Sequence, residues 1–496
     1  MPIENVAIIG AGIVGSFIAR ELSKYQNLRI TIFEKEVDVA SGTSKANTGV
    51  IHAGYDDDPK RQPMRAELCA KGNMLWHVIA NQLEIPVNWC GALVGATEDS
   101  EIAILSSLYN RGLLNGVPNL KLLTAEEARK LEPNLNGIIA ALYAPSEGSV
   151  LPFYATIAVI ENAVSNGVLL KLQNEVIGIE ESKDFFVLKT NQGIFEADWI
   201  INAAGLYGDK ISHMLGITRT NNNVEIEIHP RKGEYWIFPS EYRCPVNHII
   251  FPVPSEISKG ICILPDTEGN TLIGPTSEDM LKDQKENKAT SREGLENVYN
   301  YIVKKWGPIL PPKNRCVKNY AGLRAEPPHS DFIIEGYSKP SRFINVVGIR
   351  SPGLASSPSI AIEVVRIMES QGFIGVKKSN WNPYRKSIPR ILTQTIACRK
   401  ILSHDNPKFA NLVCWCEGVS EGEIVEAIRR GARTLQGVAF RTRAGLGRCQ
   451  GMSCQSKIVE ILSKELVVPP NKILLKSEGS EVLLCKIKDL FGDSND

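Results

Sequence analysis

A short apolar run, a glycine-rich turn, an amphipathic stretch and a second apolar run ending in glutamate follow one another in residues 6–34. Val6-Ala7-Ile8-Ile9 suits a buried parallel strand. Gly10-Ala11-Gly12-Ile13-Val14-Gly15 follows at once, and Val14, Phe17, Ile18 and Leu22 then recur at helical spacing. Arg29-Ile30-Thr31-Ile32-Phe33 reads as a second strand with Glu34 at its end. These are the parts of a β-α-β dinucleotide fingerprint in the required order. Gly10 permits the tight turn, Gly12 lets the backbone approach a pyrophosphate, and Gly15 lets helix and strand pack closely. Glu34, roughly 20 residues further on, is placed to bond a ribose hydroxyl. The helix N-terminus would turn its N–H groups toward the phosphates. The fingerprint does not separate FAD from NAD.

The 496 residues allow roughly two to four domains. With 43% hydrophobic and 22% charged residues the composition is that of a globular protein. A formal net charge of +1 argues against nucleic acid as the main partner, since phosphate binding needs a basic excess. No apolar run approaches the ~20 residues of a membrane span, and Met1-Pro2-Ile3-Glu4-Asn5 lacks a signal peptide's basic start. A cytoplasmic location with at most peripheral membrane contact is expected. Of 11 cysteines, seven are scattered (Cys69, Cys90, Cys244, Cys262, Cys316, Cys398 and Cys485) and read as buried small hydrophobes. The other four form Cys414-x-Cys416 and Cys449-x4-Cys454. Thiolates this dense, without secretory features, suggest a metal or iron–sulfur site rather than disulfides.

Ser41 to Asp56 is a long run of small and polar residues, Ser-Gly-Thr-Ser-Lys-Ala-Asn-Thr-Gly-Val-Ile-His-Ala-Gly-Tyr-Asp. From composition alone it is either a backbone approach to a flat ligand or a mobile loop. Together with the fingerprint, this run resembles the FAD-dependent glycerol-3-phosphate dehydrogenase/oxidase branch of the D-amino-acid-oxidase-like superfamily. The resemblance implies an α/β Rossmann-type FAD-binding domain with an inserted α+β substrate domain. It implies that FAD is held by Gly10, Gly12, Ile13, Val14, Gly15, Glu34 and Lys35, and by Thr43, Ser44, Asn47 and Thr48 of the polar run. His52 would lie beside the isoalloxazine and the substrate; read without the resemblance it is a structural histidine. Asn174 to Ile179 resembles the strand whose backbone, at Val176, contacts the adenine. Trp199-Ile200-Ile201-Asn202-Ala203-Ala204-Gly205 resembles the late strand that turns against the ADP half, and His229 to Trp236 the opening of the substrate sheet.

Gly348-Ile349-Arg350-Ser351-Pro352-Gly353-Leu354-Ala355-Ser356-Ser357-Pro358 precedes an apolar helical run beginning near Ile360. Its Gly and Pro residues are expected to delay the helix and leave N–H groups facing outward, an anion site. In the family Gly353, Leu354, Ser356 and Ser357 would sit at the flavin's N1/O2 edge. Arg324, in Tyr320-Ala321-Gly322-Leu323-Arg324-Ala325-Glu326, matches an arginine that binds the substrate anion, work suited to its planar fork. Ser258-Lys259-Gly260-Ile261 matches a hairpin over the substrate, with Lys259 ranked below Arg324 and His52.

Beyond residue 375 the chain changes character. Residues 376–405 are basic and proline-punctuated, as a linker would be. In residues 406–470, Ser420-Glu421-Gly422-Glu423 is a capping box opening a helix, and Ile458, Val459, Ile461 and Leu462 mark another. The four cysteines in this frame resemble the small helical bacterioferritin-associated-ferredoxin-like module, implying a 2Fe–2S cluster on Cys414, Cys416, Cys449 and Cys454. Arg443, Arg448 and helix N-termini would offset the cluster's negative charge. Trp415 stands where relatives carry arginine. A tetrathiolate zinc site is the rival, though its pairs are more often C-x2-C. Residues 471–496 are expected to form a tail, disordered at Gly492–Asp496.

The expected domains are thus 1–375, with the substrate part near 80–150 and 220–320, then the linker, the cluster module and the tail. The expected reaction is oxidation of sn-glycerol 3-phosphate to dihydroxyacetone phosphate, with His52, Arg324 and Lys259 as catalytic residues. Electrons would leave through the cluster to a protein partner or second flavoprotein subunit, in a homo- or hetero-oligomer. Flavin yields two electrons and a 2Fe–2S centre carries one, which favours a dehydrogenase over an oxidase. Two alternatives stay open: the same fold acting on another small anion (L-2-hydroxyglutarate or an amino acid), and a non-catalytic electron-transfer subunit.

Overall fold

The computed structural model describes residues 2–255 and 259–485. Ser258 and the tail Gly492–Asp496, both singled out above, lie outside them. The chain divides into two compact units, Met1–Glu34 with Ala40–Arg385, and Lys35–Val39 with Lys386–Asp496.

In the first unit β1 (Glu4–Ile9) pairs in parallel with β2 (Leu28–Phe33) on one side and with Trp199–Asn202 on the other, so that Val6 faces both Ile30 and Trp199. The six-stranded order is Ile333–Gly336, Phe343–Val347, Trp199–Asn202, β1, β2, Leu169–Lys171. Only the edge strand Ile333–Gly336 runs antiparallel to its neighbour. Val6 to Ile9 are buried in succession, as a strand covered on both faces requires. The connection from β1 to β2 is α1 (Ile13–Leu22). It packs on the long helix Gly353–Ser370 described below, as does α2 (Pro63–Gln82). Asp331 accepts from the N–H groups of Met64 and Arg65, capping α2 from far along the chain.

A nine-stranded mixed sheet forms the other wall. Its spine is the antiparallel pair β3 (His229–Phe238) and β4 (Lys318–Glu326), with Arg231 opposite Arg324 and Tyr235 opposite Tyr320. Ala92–Ala96 joins it in parallel with Ile249–Pro252, which merges two distant segments into one sheet. Val176 begins a strand, Val176–Glu181, of a separate three-stranded antiparallel sheet.

The long helix α3 (Gly353–Ser370) departs from expectation. It begins at Gly353, so Ser356, Ser357 and Pro358 lie within it rather than in a preceding loop. Proline has no N–H to give the carbonyl four residues back. That carbonyl, on Leu354, accepts instead from the indole Nε1 of Trp76 at 3.0 Å. Trp76 is fully buried and meets Phe17 edge-on at 5.2 Å. Trp76→Phe keeps most of the packing but strands a buried acceptor, so we expect a loss of about 1–3 kcal/mol, measured by denaturant unfolding of the FAD-bound protein.

Residues 376–385, read from sequence as the start of a linker, are tied along the first unit. The Val376 N–H donates to Asn27 Oδ1 at 2.9 Å, the Lys378 N–H to Lys24 O at 2.7 Å and Trp381 Nε1 to Ser23 Oγ at 3.0 Å. Arg385 pairs with Glu161. The rest of the span contains a helix, Ile396–Asp405.

The second unit packs α4 (Glu421–Arg429), α5 (Leu435–Thr442) and α6 (Gln455–Leu466) around Val413, Ile424, Ile428, Val438, Ile458 and Leu462. The capping box forms as read: Ser420 accepts from the Glu423 N–H, and Glu423 accepts in return from the Ser420 N–H. A buried ion pair, Arg441 to Asp38 at 2.6 Å, secures Lys35–Val39 within this unit. Of the seven scattered cysteines only Cys69 and Cys262 are buried, and Cys398 is exposed. None of the described helices is long and apolar enough to cross a membrane.

Candidate active site and cysteine centre

The glycine turn is as tight as the sequence requires. A Cβ on Gly15 would fall 2.0 Å from Gly10 O, so only glycine lets the helix close on the turn. Gly12 is the N-cap of α1 and supplies no capping side chain. Glu34 reaches back from the end of β2, its Oε2 accepting from the Ala11 N–H at 2.8 Å. Ala203 is buried beside the turn, its N–H bonded to Ile9 O, and Ala204 donates to Asn202 Oδ1. Gly205 takes a left-handed φ of 56° with open space around its Cβ position. A bare turn, a helix start whose N-cap carries no side chain, a carboxylate at the strand end and an open strand end opposite fit a dinucleotide. Ile13 and Val14 open α1, and Lys35 groups with the second unit.

The polar run spans from this turn to the large sheet. Ser44 Oγ accepts from the Ile13 N–H at 2.9 Å, and Thr43 Oγ1 donates to Leu323 O at 2.7 Å. Asn47 donates to Ser44 O and accepts from the Gly49 N–H, folding the run on itself. Thr48 Oγ1 lies 3.4 Å from the Tyr235 hydroxyl, and the Tyr320 hydroxyl donates to Asn47 O. Tyr235 and Tyr320 stack at 4.6 Å. At the start of α3 no side chain caps the helix, while Ser356 and Ser357 turn their hydroxyls to their own helix's carbonyls.

Arg324 lies on β4 beside Tyr235 and donates to Thr276 O at 3.2 Å. Burial pushes the Tyr235 phenol up, partly offset by that guanidinium. His52 follows the short strand Val50–Ile51, with its ring against Phe251 at 5.7 Å. Its Nδ1 is 3.7 Å from Oε1 of Glu147, a carboxylate with no exposed surface. Lys259 pairs with Asp56 at 2.6 Å. Burial opposes ionisation of Asp56, but Lys259 outweighs it, helped by His52 and Arg65, and holds the carboxyl below its ordinary range. Tyr55, Asp56, Val94, Phe251, Pro252, Pro254 and Lys259 line a small open cleft. His52 lies within electrostatic reach of Asp56, the partner of Lys259. Cys262 is within electrostatic reach of both Glu147 and Arg324. Sequence reasoning missed Asp56, Glu147, Tyr235 and Tyr320. The tyrosines lay inside motifs already singled out, whereas a polar break between apolar strands was the only sign of Glu147.

In the second unit Cys416 Sγ lies 3.9 Å from Cys414 Sγ and 3.6 Å from Cys449 Sγ. Cys454 is the N-cap of α6 and faces Cys414. That neighbour, with the backbone N–H groups of Gly445 and Glu417, draws the Cys414 thiol down to about 5. The Ser453 N–H likewise lowers Cys449, while burial pushes Cys416 up to about 11. A Cβ on Gly447 would fall 2.6 Å from Cys416 Sγ. Cys416 within reach of two further cysteine sulfurs, Cys454 at the start of α6, and a glycine that lets Cys416 in fit a thiolate-ligated cluster. Arg443 pairs with Glu417 at 2.7 Å, so its charge is offset before it reaches the sulfurs. Trp415 is 75% exposed and Met452 88%.

The FAD dependent oxidoreductase family model matches residues 5–367, and the BFD-like 2Fe–2S binding domain model matches residues 412–464. The chain is 42% identical to a glycerol 3-phosphate dehydrogenase of Caloramator mitchellensis over 485 residues, 97% of this chain and 98% of that one. It is 30% identical to a glycerol 3-phosphate oxidase of Mycoplasma genitalium over 76% of this chain and 97% of that one. A dithionite-reduced, FAD-bound L-alpha-glycerophosphate oxidase structure from Mycoplasma pneumoniae superposes with a TM-score of 0.70 at 30% identity, covering 78% of this chain and 100% of that one.

Proposed function

Since this chain belongs to the FAD dependent oxidoreductase family and carries a BFD-like 2Fe–2S binding domain, we propose that it oxidises sn-glycerol 3-phosphate to dihydroxyacetone phosphate and passes the electrons to a protein partner. It is an FAD-dependent oxidoreductase, and FAD and a 2Fe–2S cluster are its cofactors. The substrate reading is carried by one observation: 42% identity to a glycerol 3-phosphate dehydrogenase over nearly the whole of both chains.

When bound, FAD supplies a two-electron hydride acceptor and the cluster a one-electron carrier. The chain's own work is to hold the substrate and move its hydroxyl proton. Arg324 pairs with the substrate anion, offering two donors to two oxygens. His52 takes the hydroxyl proton as the C–H bond gives up its electron pair and the carbonyl forms. Lys259 acts at the cleft, paired with Asp56. The turn Gly10, Gly12 and Gly15, with Ile13, Val14 and Glu34, holds the nucleotide's ADP half. Ala203, Ala204, Gly205 and Val176 line it, while Thr43, Ser44, Asn47 and Thr48 run toward the ring, and Gly353, Leu354, Ser356 and Ser357 form the helix start at its far edge. Cys414, Cys416, Cys449 and Cys454 ligate the cluster.

Anaerobic bleaching of the flavin tests the substrate. Glycerol 3-phosphate is expected to bleach it, and L-2-hydroxyglutarate and amino acids to leave it oxidised. Bleaching by another member of the panel alone would replace the substrate; bleaching by none would remove the catalytic reading.

A further inference from the structure

A carboxylate buried without a cation is costly, and such groups cluster where chemistry uses them. Glu147 has no exposed surface, and among the described residues its ion-pair partner is His52. Its Oε1 accepts from the Ala53 N–H at 2.9 Å and stands 3.7 Å from His52 Nδ1, and the buried Tyr55 phenol faces the same carboxylate within hydrogen-bonding reach. The backbone around it is pinned from several sides. Gly91 donates to Glu147 O, and Asn73 Nδ2 donates both to Ser146 O and to Ile51 O, next to His52. Phe251 covers the imidazole. The other groups facing this corner are already engaged or neutral. Asp56 is paired with Lys259, and burial pushes the Tyr55 phenol and the Cys69 thiol up, with Cys69 Sγ directed to His52 O.

We propose that Glu147 is the positioning residue of His52: its carboxylate fixes the neutral imidazole with the proton on Nδ1 and leaves Nε2 bare to receive the substrate's hydroxyl proton. The histidine's two nitrogens are distinct, and the group facing one decides what the other can do. A ring with the opposite tautomer would present an N–H to the substrate hydroxyl and accept nothing. Glu147 never touches substrate or flavin; it acts through His52. The proposal rests on the assignment of His52 as the base.

Glu147→Gln tests it in the FAD- and cluster-loaded enzyme, because glutamine keeps an oxygen for the Ala53 N–H while removing the charge. With glycerol 3-phosphate, kcat is expected to fall about tenfold or more, a share of what a positioned base contributes, with KM within about twofold. Nitrogen-15 spectra of the histidines, with the His52 signal assigned by its loss in His52→Ala, are expected to show Nδ1–H in the wild type and its loss in Glu147→Gln. In a His52→Ala background the same substitution should cost nothing further. A kcat within about twofold of wild type, an unchanged His52 signal, or a full additional loss in the His52→Ala background would each overturn the proposal. Should Glu147→Gln fail to retain FAD, Glu147→Asp replaces it, with the charge drawn back and the same readouts. Loss of FAD from both variants would make the residue structural and the proposal wrong. The tautomer is read without substrate, so a wild-type enzyme that ignores glycerol 3-phosphate sinks the functional reading while leaving this one to be decided on the spectrum.

Discussion

His52→Ala is expected to lower kcat by about 10²–10⁴-fold while FAD content, read from the flavin absorbance, stays at the wild-type level. His52 sits against Glu147 and Phe251, a residue of the cleft wall, rather than at the glycine turn. Removing its ring therefore takes away the proposed proton acceptor and leaves Gly10, Gly12, Gly15 and Glu34 in place. KM should move little, because the substrate anion is assigned to Arg324 on β4. Arg324→Ala should show the converse, a raised KM as the larger effect. Near-normal turnover in His52→Ala would remove the histidine from the base role and, with it, the premise of the Glu147 proposal.

The second large effect is expected at the cysteine centre. Gly447→Ala puts a methyl group where Cys416 Sγ lies, 2.6 Å from the built Cβ position. Contacts that short do not occur, so the loop must move and the sulfur with it. Iron–sulfur absorption and the reduced-cluster electron paramagnetic resonance signal should be lost, along with multiple-turnover reduction of a one-electron acceptor. Anaerobic bleaching of the flavin by substrate should persist, since that half-reaction needs only the first unit's residues. Cys449→Ser should behave alike. A Gly447→Ala protein that keeps its cluster signal would show that Cys416 is not a ligand.

The parts of this fold that could be read from sequence are those whose physics is local. The glycine turn, the strand before it and Glu34 lie in one short stretch, and each has a single steric or hydrogen-bonding reason to be there. The Ser420–Glu423 box closes within one helical turn. The four cysteines announce themselves by spacing. What stayed hidden depends on pairs far apart in the chain. Pro358 looked like the end of a loop because nothing nearby signals that Trp76 would supply the missing donor. Residues 376–385 looked like a linker because their partners, Ser23, Lys24 and Asn27, belong to the chain's first turns. Glu147 carries no pattern of its own; its meaning comes from the histidine its carboxylate faces.

Trp76 and Pro358 also constrain how this sequence can change. The indole answers a carbonyl that the proline leaves unserved. With alanine at position 358 the helix would serve that carbonyl itself, and the loss of the tryptophan's N–H would then be cheap. The two positions are therefore epistatic: Trp76→Phe is costly before Pro358→Ala and tolerable after it. A lineage that exchanges both must take the proline first.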